Sequence, residues 1–223
     1  MQKYIVVNQP EKWNFPTGNI TVISSQDYLT NPQFSVLKKA RIFNLCKDYN
    51  YQSKGYYVSL LAEARGHLAI PTVKNIVDLK NLKLVRIVSD EFDDIIQQSL
   101  KNIKSREFTL SIYFGQNVAQ KYKELSTLFY KHFQVPFFRV KFSYNTKWNI
   151  QSVKVISESE IPNDHLESVQ EFANQYFSKK RYDTLKLTQS DFDLAILVNP
   201  QDPAPPSNPK ALKKFIEIAE KMN

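Results

Sequence analysis

The chain has 223 residues, 42% hydrophobic and 13% aromatic, which suffices for a packed core and argues against global disorder. Its formal charge of +8 is dispersed, with the densest runs at Lys179-Lys180-Arg181 and Lys213-Lys214 and no nucleic-acid-binding motif beside them, so solvated helix faces are expected and nucleic acid is not an expected partner. A single cysteine, Cys46, excludes an intrachain disulfide framework and a cysteine-rich zinc site; with no apolar run near ~18 residues and no secretory h-region, a cytoplasmic protein without a membrane partner is expected.

In chain order, residues 3–7 form a β-branched run ended by Asn8-Gln9-Pro10, and residues 20–24 a second strand after the turn Pro16-Thr17-Gly18-Asn19. Asn31 and Pro32 open a short helix with Phe34 and Leu37 on its apolar face. Residues 41–45 read as a third strand. A helix over 53–65 follows, capped by Ser53 and stopped by Gly66, with Tyr57, Leu60, Leu61 and Ala64 at helical spacing. Residues 67–73 look extended and are broken by Pro71. Strands alternating with short helices over the first ~75 residues suggest a small Rossmann-like α/β unit.

Residues 83–88 read as a strand, and Ser89-Asp90-Glu91 as an acidic opening to a helix with Phe92, Ile95, Ile96, Ser99, Leu100 and Ile103 as its buried stripe. Residues 107–114 are a strong strand ended by Gly115. A helix over 117–133 carries Val118, Tyr122, Leu125, Phe129 and Phe133. After Pro136, residues 137–144 pair as a hairpin with 148–156 across Asn145-Thr146-Lys147. Pro162-Asn163 opens a helix with Leu166, Val169, Phe172, Ala173 and Tyr176 facing inward. Residues 179–189 are a polar connector and 193–198 a buried-type strand. A proline-rich loop leads to a last amphipathic helix over 209–222, showing Leu212, Phe215, Ile216 and Ala219. A strand, a loop and one helix are half of a βαβ unit, so the chain reads as the first part of something longer. The expected class is α/β, with α+β as the alternative: a Rossmann-like unit with a mixed sheet, helices and a β-hairpin.

The words Asp27-Tyr28-Leu29-Thr30, Phe43-Asn44-Leu45-Cys46, Tyr51-Gln52-Ser53 and the run from Gly55 to His67 (GYYVSLLAEARGH) resemble the RimK-like ATP-grasp N-terminal domain. So do Phe114-Gly115-Gln116, Asp193-Leu194-Ala195-Ile196-Leu197 and Pro206-Ser207-Asn208-Pro209. That resemblance implies an accessory domain over residues 1–187 and the start of a pre-ATP-grasp βα unit over 188–223. It also implies an ATP-grasp partner, attached or separate, which would activate a carboxylate as an acyl phosphate and join it to an amine, adding an amino acid such as glutamate to a protein or peptide acceptor. ATP and magnesium would belong to that partner, so this chain by itself is expected to hold no cofactor and to ligate nothing. The rival reading is a stand-alone binding module; a second rival is an independent small-molecule enzyme. The family loop commonly has Arg-Ser-Tyr-Arg before Tyr-Gln-Ser, where this chain has Lys47-Asp48-Tyr49-Asn50, which removes bidentate guanidinium recognition.

The candidate ligand site is the loop after the third strand and the helix it feeds, because ligands of open α/β sheets sit beyond the strand carboxyl ends, where helix N–H groups are free. Its residues are Asn44, Tyr51, Gln52, Ser53, Lys54, Tyr56 and Tyr57, with Arg65 and His67 at the far end of the same helix. The ligand would be a carboxylate, a phosphate or a peptide end; the alternative is a structural loop whose polar groups cap Asn44 and the helix. Glu63 and His67 at i,i+4 suggest a local pair. No catalytic residue is assigned. His67, His132 and His165 lack metal-ligand spacing, Cys46 reads as an inert core residue, and Phe114-Gly115-Gln116 as a tight turn.

Overall fold

The computed structural model describes residues 1–179, 182 and 209–222. The chain divides into two compact units, Met1–Leu185 and Lys186–Asn223. The connector over 179–189, the strand over 193–198, the proline-rich loop and the boundary at 187/188 fall wholly or largely outside the described residues.

The first unit opens with β1 (Gln2–Val7), β2 (Thr21–Ser24), α1 (Ser25–Thr30), α2 (Gln33–Val36), β3 (Ala40–Asn44), α3 (Lys54–Ala64) and β4 (Leu68–Ile70). The four strands make one parallel sheet in the order β2-β1-β3-β4. Both faces are covered, as a parallel sheet requires. Val6, Ile42 and Ala69 face α1 and α3, where Tyr28, Val58 and Ala62 pack. Ile5, Val7, Phe43 and Ile70 face the opposite cluster. That is why β3 is buried at all five positions, Arg41 and Asn44 included.

Three helices follow, α4 (Val73–Lys80), α5 (Leu82–Glu91) and α6 (Asp93–Leu100). The strand expected over 83–88 is therefore a helix. Its β-branched residues fit both periods, and local capping decides: the Asn81 Oδ1 accepts from the N–H groups of Lys83 (3.0 Å) and Leu84 (3.4 Å). Val85, Val88 and Phe92 then form one buried helical stripe, continued by Ile96 and Leu100. Ser89-Asp90-Glu91 ends α5 rather than opening a helix.

β5 (Glu107–Tyr113), α7 (Lys123–Phe133), β6 (Phe137–Asn145) and β7 (Lys147–Val155) build a second, antiparallel sheet in the order β5-β6-β7. A short 3-10 turn over Gln120–Tyr122 precedes α7, so the helix expected from 117 starts later; Asn117 instead accepts from Ala119 N–H and donates to the Ser111 carbonyl. In β7 the register passes from Lys141↔Ser152 to Phe142↔Ile150, leaving Gln151 as a bulge. The extra residue flips parity, so Trp148 and Ile150 share the core face with Val153 and Val155.

α8 (Leu166–Phe177) covers the face of the parallel sheet that carries Phe43, whose ring lies 5.8 Å from Tyr176 and 5.3 Å from Phe177. The same cluster takes Tyr113, Phe114 and Phe137 from the antiparallel sheet. The second unit contains α9 (Pro209–Met222), in which Phe215, Ile216 and Ile218 are exposed. Among the described residues no helix is long and apolar enough to cross a membrane.

Candidate functional site

The loop from Cys46 to Gln52 leaves β3 and folds back over the first turn of α3. Asn44 organises it from beneath. Its side-chain amide is fully buried and donates to the Gly55 carbonyl (2.7 Å) and Ser59 Oγ (2.9 Å), while its Oδ1 accepts from Cys46 N–H (3.2 Å). The Tyr49 hydroxyl donates to the Asn44 carbonyl at 2.6 Å, and Lys80 on α4 ties down the Tyr49 carbonyl and the Asn50 side chain, both at 3.0 Å. Ser53 caps α3: its Oγ accepts from Tyr56 N–H at 3.2 Å. Gln52 sits in left-handed conformation with φ 65° to make the entry.

Gly55 is required by this fold-back. A Cβ there would collide with the Asp48 carbonyl and lie 2.9 Å from the Cys46 Cβ. The loop backbone therefore rests against the first turn of the helix whose N-terminus the sequence suggested as an anion site. Burial pushes the Cys46 thiol up to about 12, and the Asp48 carboxylate adds to it, so the sulfur is a neutral core group. Burial likewise holds the Tyr49 phenol well above its usual value.

The nine residues expected at the site do not come together. Asn44 has its amide committed inside the fold. Arg65 and His67 stand at the other end of α3, about 16 Å away for eleven helical residues. There Arg65 donates to the carbonyls of Tyr28 (2.7 Å) and Leu29 (3.3 Å). His67 is buried, with Nδ1 2.8 Å from the Tyr28 hydroxyl and Nε2 2.8 Å from the Leu37 carbonyl. Both residues lock α1 and the segment after α2 onto α3. The expected Glu63–His67 pair is absent, because Glu63 Oε1 accepts from Val73 N–H at 2.7 Å.

The face of α3 also differs from expectation. Gly55, Val58, Ser59 and Ala62 are buried, whereas Tyr57, Leu60 and Ala64 are exposed and Leu61 only half-buried. The small residues face the sheet because the helix packs closely there. Tyr57 and, in the loop, Tyr51 are turned outward instead, while Tyr56 is half-buried against the core of the antiparallel side. Tyr51 is 75% exposed and its ring lies 5.4 Å from Tyr56, which lies 5.8 Å from Tyr57. With Lys54 and Gln52 exposed beside them, these rings form a tyrosine ridge on the surface.

A cleft of about 380 Å³ runs along the inner side of the loop, between α4 and β7. Lys47, Asp48, Lys80, Lys154 and Glu160 line it over an apolar floor of Ile76, Leu79 and Val153. Two of its three ammonium groups are engaged, Lys80 as above and Lys154 with Glu160 at 3.3 Å. The backbone N–H of Ser157 donates to Glu160 and holds its carboxyl below the usual range. The sequence pointed to Lys47 and Tyr49 only as members of the loop. Lys80 and Lys154 arrive from elements 30 to 100 residues away, and no local pattern announces them.

Among the described residues no three His, Cys, Asp or Glu side chains converge, and the four glycines stand apart at positions 18, 55, 66 and 115.

No curated protein matches the chain. Among solved structures it is similar to the macrocyclase MdnB from Microcystis aeruginosa MRC, with 9% identity and a TM-score of 0.42, over 80% of this chain and 100% of that one. It is also similar to D-alanine–D-alanine ligase from Bacillus anthracis complexed with ATP, with 10% identity and a TM-score of 0.41, over 80% of this chain and 94% of that one. The sequence profile of the RimK-like ATPgrasp N-terminal domain matches residues 25–172, which span α1 to the middle of α8 and include the loop, the ridge, β3 and β4 of the parallel sheet and the whole antiparallel sheet. The chain belongs to the RimK-like ATP-grasp N-terminal domain family.

Proposed function

We propose that this chain is the acceptor-recognition domain of a RimK-like ATP-dependent carboxylate–amine ligase, acting with an ATP-grasp domain that is attached to it or supplied by a separate chain. Family membership supports the ligase setting. The observation that carries the recognition role is the tyrosine ridge of Tyr51, Tyr56 and Tyr57, standing on the first turn of α3 and on the loop before it, whose backbone is pinned by Asn44, Tyr49 and Lys80. Tyrosine is rigid, apolar on its faces and polar at its tip, and a fixed row of such rings loses little entropy on contact with a peptide. ATP and magnesium serve the ATP-grasp partner in this reading, and no chemical step is assigned to residues of this chain.

The test is steady-state ligation by the complete gene product, with and without the triple substitution Tyr51→Ala, Tyr56→Ala and Tyr57→Ala. The expected result is a rise of at least ten-fold in the KM for the peptide or protein acceptor, with the KM for ATP unchanged. Equal effects on both, or none on either, would remove the ridge from acceptor recognition.

A further inference from the structure

A second cavity, of about 300 Å³, lies away from the ridge between the turn after β5, α7 and α8. Its construction is unusual in three respects. The first is backbone conformation. Phe114 and Gly115 have φ of 51° and 85°, and Tyr113 and Gln116 exchange backbone hydrogen bonds of 2.8 and 2.9 Å across them, as in a type I′ turn. Phenylalanine is a poor residue for left-handed backbone. Gln134, which ends α7 at φ 50°, is a second such residue at the same cavity. Thus two of the four non-glycine residues with positive φ among the described residues line this one space. Strain of this kind clusters where geometry is held for function.

The second respect is what the strained turn places there. The Phe114 ring stacks on Tyr176 at 4.9 Å, and Tyr130 lies so close over Gly115 that a Cβ would stand 2.8 Å from its ring. The Tyr130 hydroxyl donates to that of Tyr176 at 2.8 Å. Gln116 is aimed across the cavity to Gln175, to whose Oε1 it donates at 3.1 Å; Gln175 in turn donates to Glu171 at 3.0 Å. The result is an aromatic floor with amide groups on its rim.

The third respect is charge. Lys123, Lys131 and Lys179 line the cavity, and no Asp or Glu does so among the described residues. None of the three lysines is in an ion pair among those residues. Behind the Tyr182 wall, the guanidinium of Arg41 lies 4.9 Å from the ring centroid, and its Nε and Nη1 are buried without a partner. The C-terminal ends of α7 and α8 each bring about half a negative charge, which does not cancel three ammonium groups. Those ends also present carbonyl groups, which accept from N–H donors.

We propose that this cavity binds a carboxylate carried on a peptide segment or on a free amino acid: ammonium and amide groups take the carboxylate, the aromatic floor takes the carbon skeleton, and the helix-end carbonyls take N–H groups. This goes beyond the ridge, since Tyr51, Tyr56 and Tyr57 do not line the cavity.

The experiment is an NMR titration of the 223-residue chain with a glutamate-containing hexapeptide, its glutamine counterpart, free glutamate and inorganic phosphate. The glutamate peptide is expected to shift the side-chain amide signals of Gln116 and Gln175, while the glutamine peptide leaves them in place. The exposed substitutions Lys123→Gln, Lys131→Gln and Lys179→Gln, combined, should weaken binding at least ten-fold. Thr127→Trp, which fills the cavity, should abolish it. The Gln116 and Gln175 signals report this cavity alone, since neither residue belongs to the ridge, which separates failure of this site from failure of the ridge. Matching shifts from free glutamate would assign the site to an amino acid, and their absence to a peptide. Equal binding of the glutamine peptide, an unaffected triple variant, or shifts produced by phosphate alone would overturn the proposal.

Discussion

Asn44 and Gly55 show how little freedom the loop after β3 retains. One buried amide makes three hydrogen bonds, to the loop, to the helix backbone and to Ser59, and the missing side chain of Gly55 lets the Asp48 carbonyl rest on the helix. Gly55→Ala would force backbone against backbone, with no flexible side chain to give way. It should destabilise the fold by about 1–3 kcal/mol in denaturant unfolding. The same variant should bring the Cys46 thiol, 3% exposed and held protonated in the native protein, within reach of a thiol reagent. Unchanged stability with Cys46 still protected would show that the loop is not clamped in the way described. The word Tyr51-Gln52-Ser53 with Gly55 was legible as special in the sequence. That its polar groups are directed inward was not, because a residue such as Asn44 looks the same whether it meets a ligand or its own chain.

Among elements, legibility followed how many independent signals agreed. β1, β3, β5 and the β6–β7 hairpin combined β-branched or aromatic runs with turn residues, and all form. α5 failed because its apolar residues fit two periods and the deciding signal was one Asn81 cap. α3 was found, but with its face turned, since a stripe of Gly55, Val58, Ser59 and Ala62 has less hydrophobic weight than Tyr57, Leu60 and Leu61. Close helix–sheet packing selected the small residues. The hairpin contains a test of element-scale strain. Thr146 joins β6 to β7 with φ 69°, a conformation hard on a β-branched side chain. Thr146→Gly should remove that strain and raise stability by about 0.5–1 kcal/mol, less the entropy glycine adds to the unfolded chain. A lower melting temperature would mean that the Thr146 side chain contributes packing or hydrogen bonding that outweighs the backbone cost.

Within the first unit, two sheets of different kind share one aromatic cluster. Phe43 from the parallel sheet, Tyr113 and Phe137 from the antiparallel sheet and Phe172, Tyr176 and Phe177 from α8 are contiguous, so this cluster joins the two sheets. The loop with the tyrosine ridge is held by both halves as well: Asn44 belongs to the parallel side, and Tyr49 packs into the core of the antiparallel side. A surface fixed from two directions suits recognition, because its geometry persists only while both halves are folded. The two tryptophans make this measurable. Trp13 packs at the shared cluster beside Phe15, and Trp148 is buried in the core of the antiparallel sheet. Trp13→Phe and Trp148→Phe leave one reporter in each half. Their fluorescence transitions in urea should coincide in midpoint and slope once each variant's own stability change is removed. Phe43→Ala, made in both backgrounds, should lower both midpoints together, by about 3–5 kcal/mol of stability. Should Trp13 report an earlier transition while Trp148 stays unmoved, the parallel half would open by itself, and the ridge would be a surface that forms and dissolves with that half.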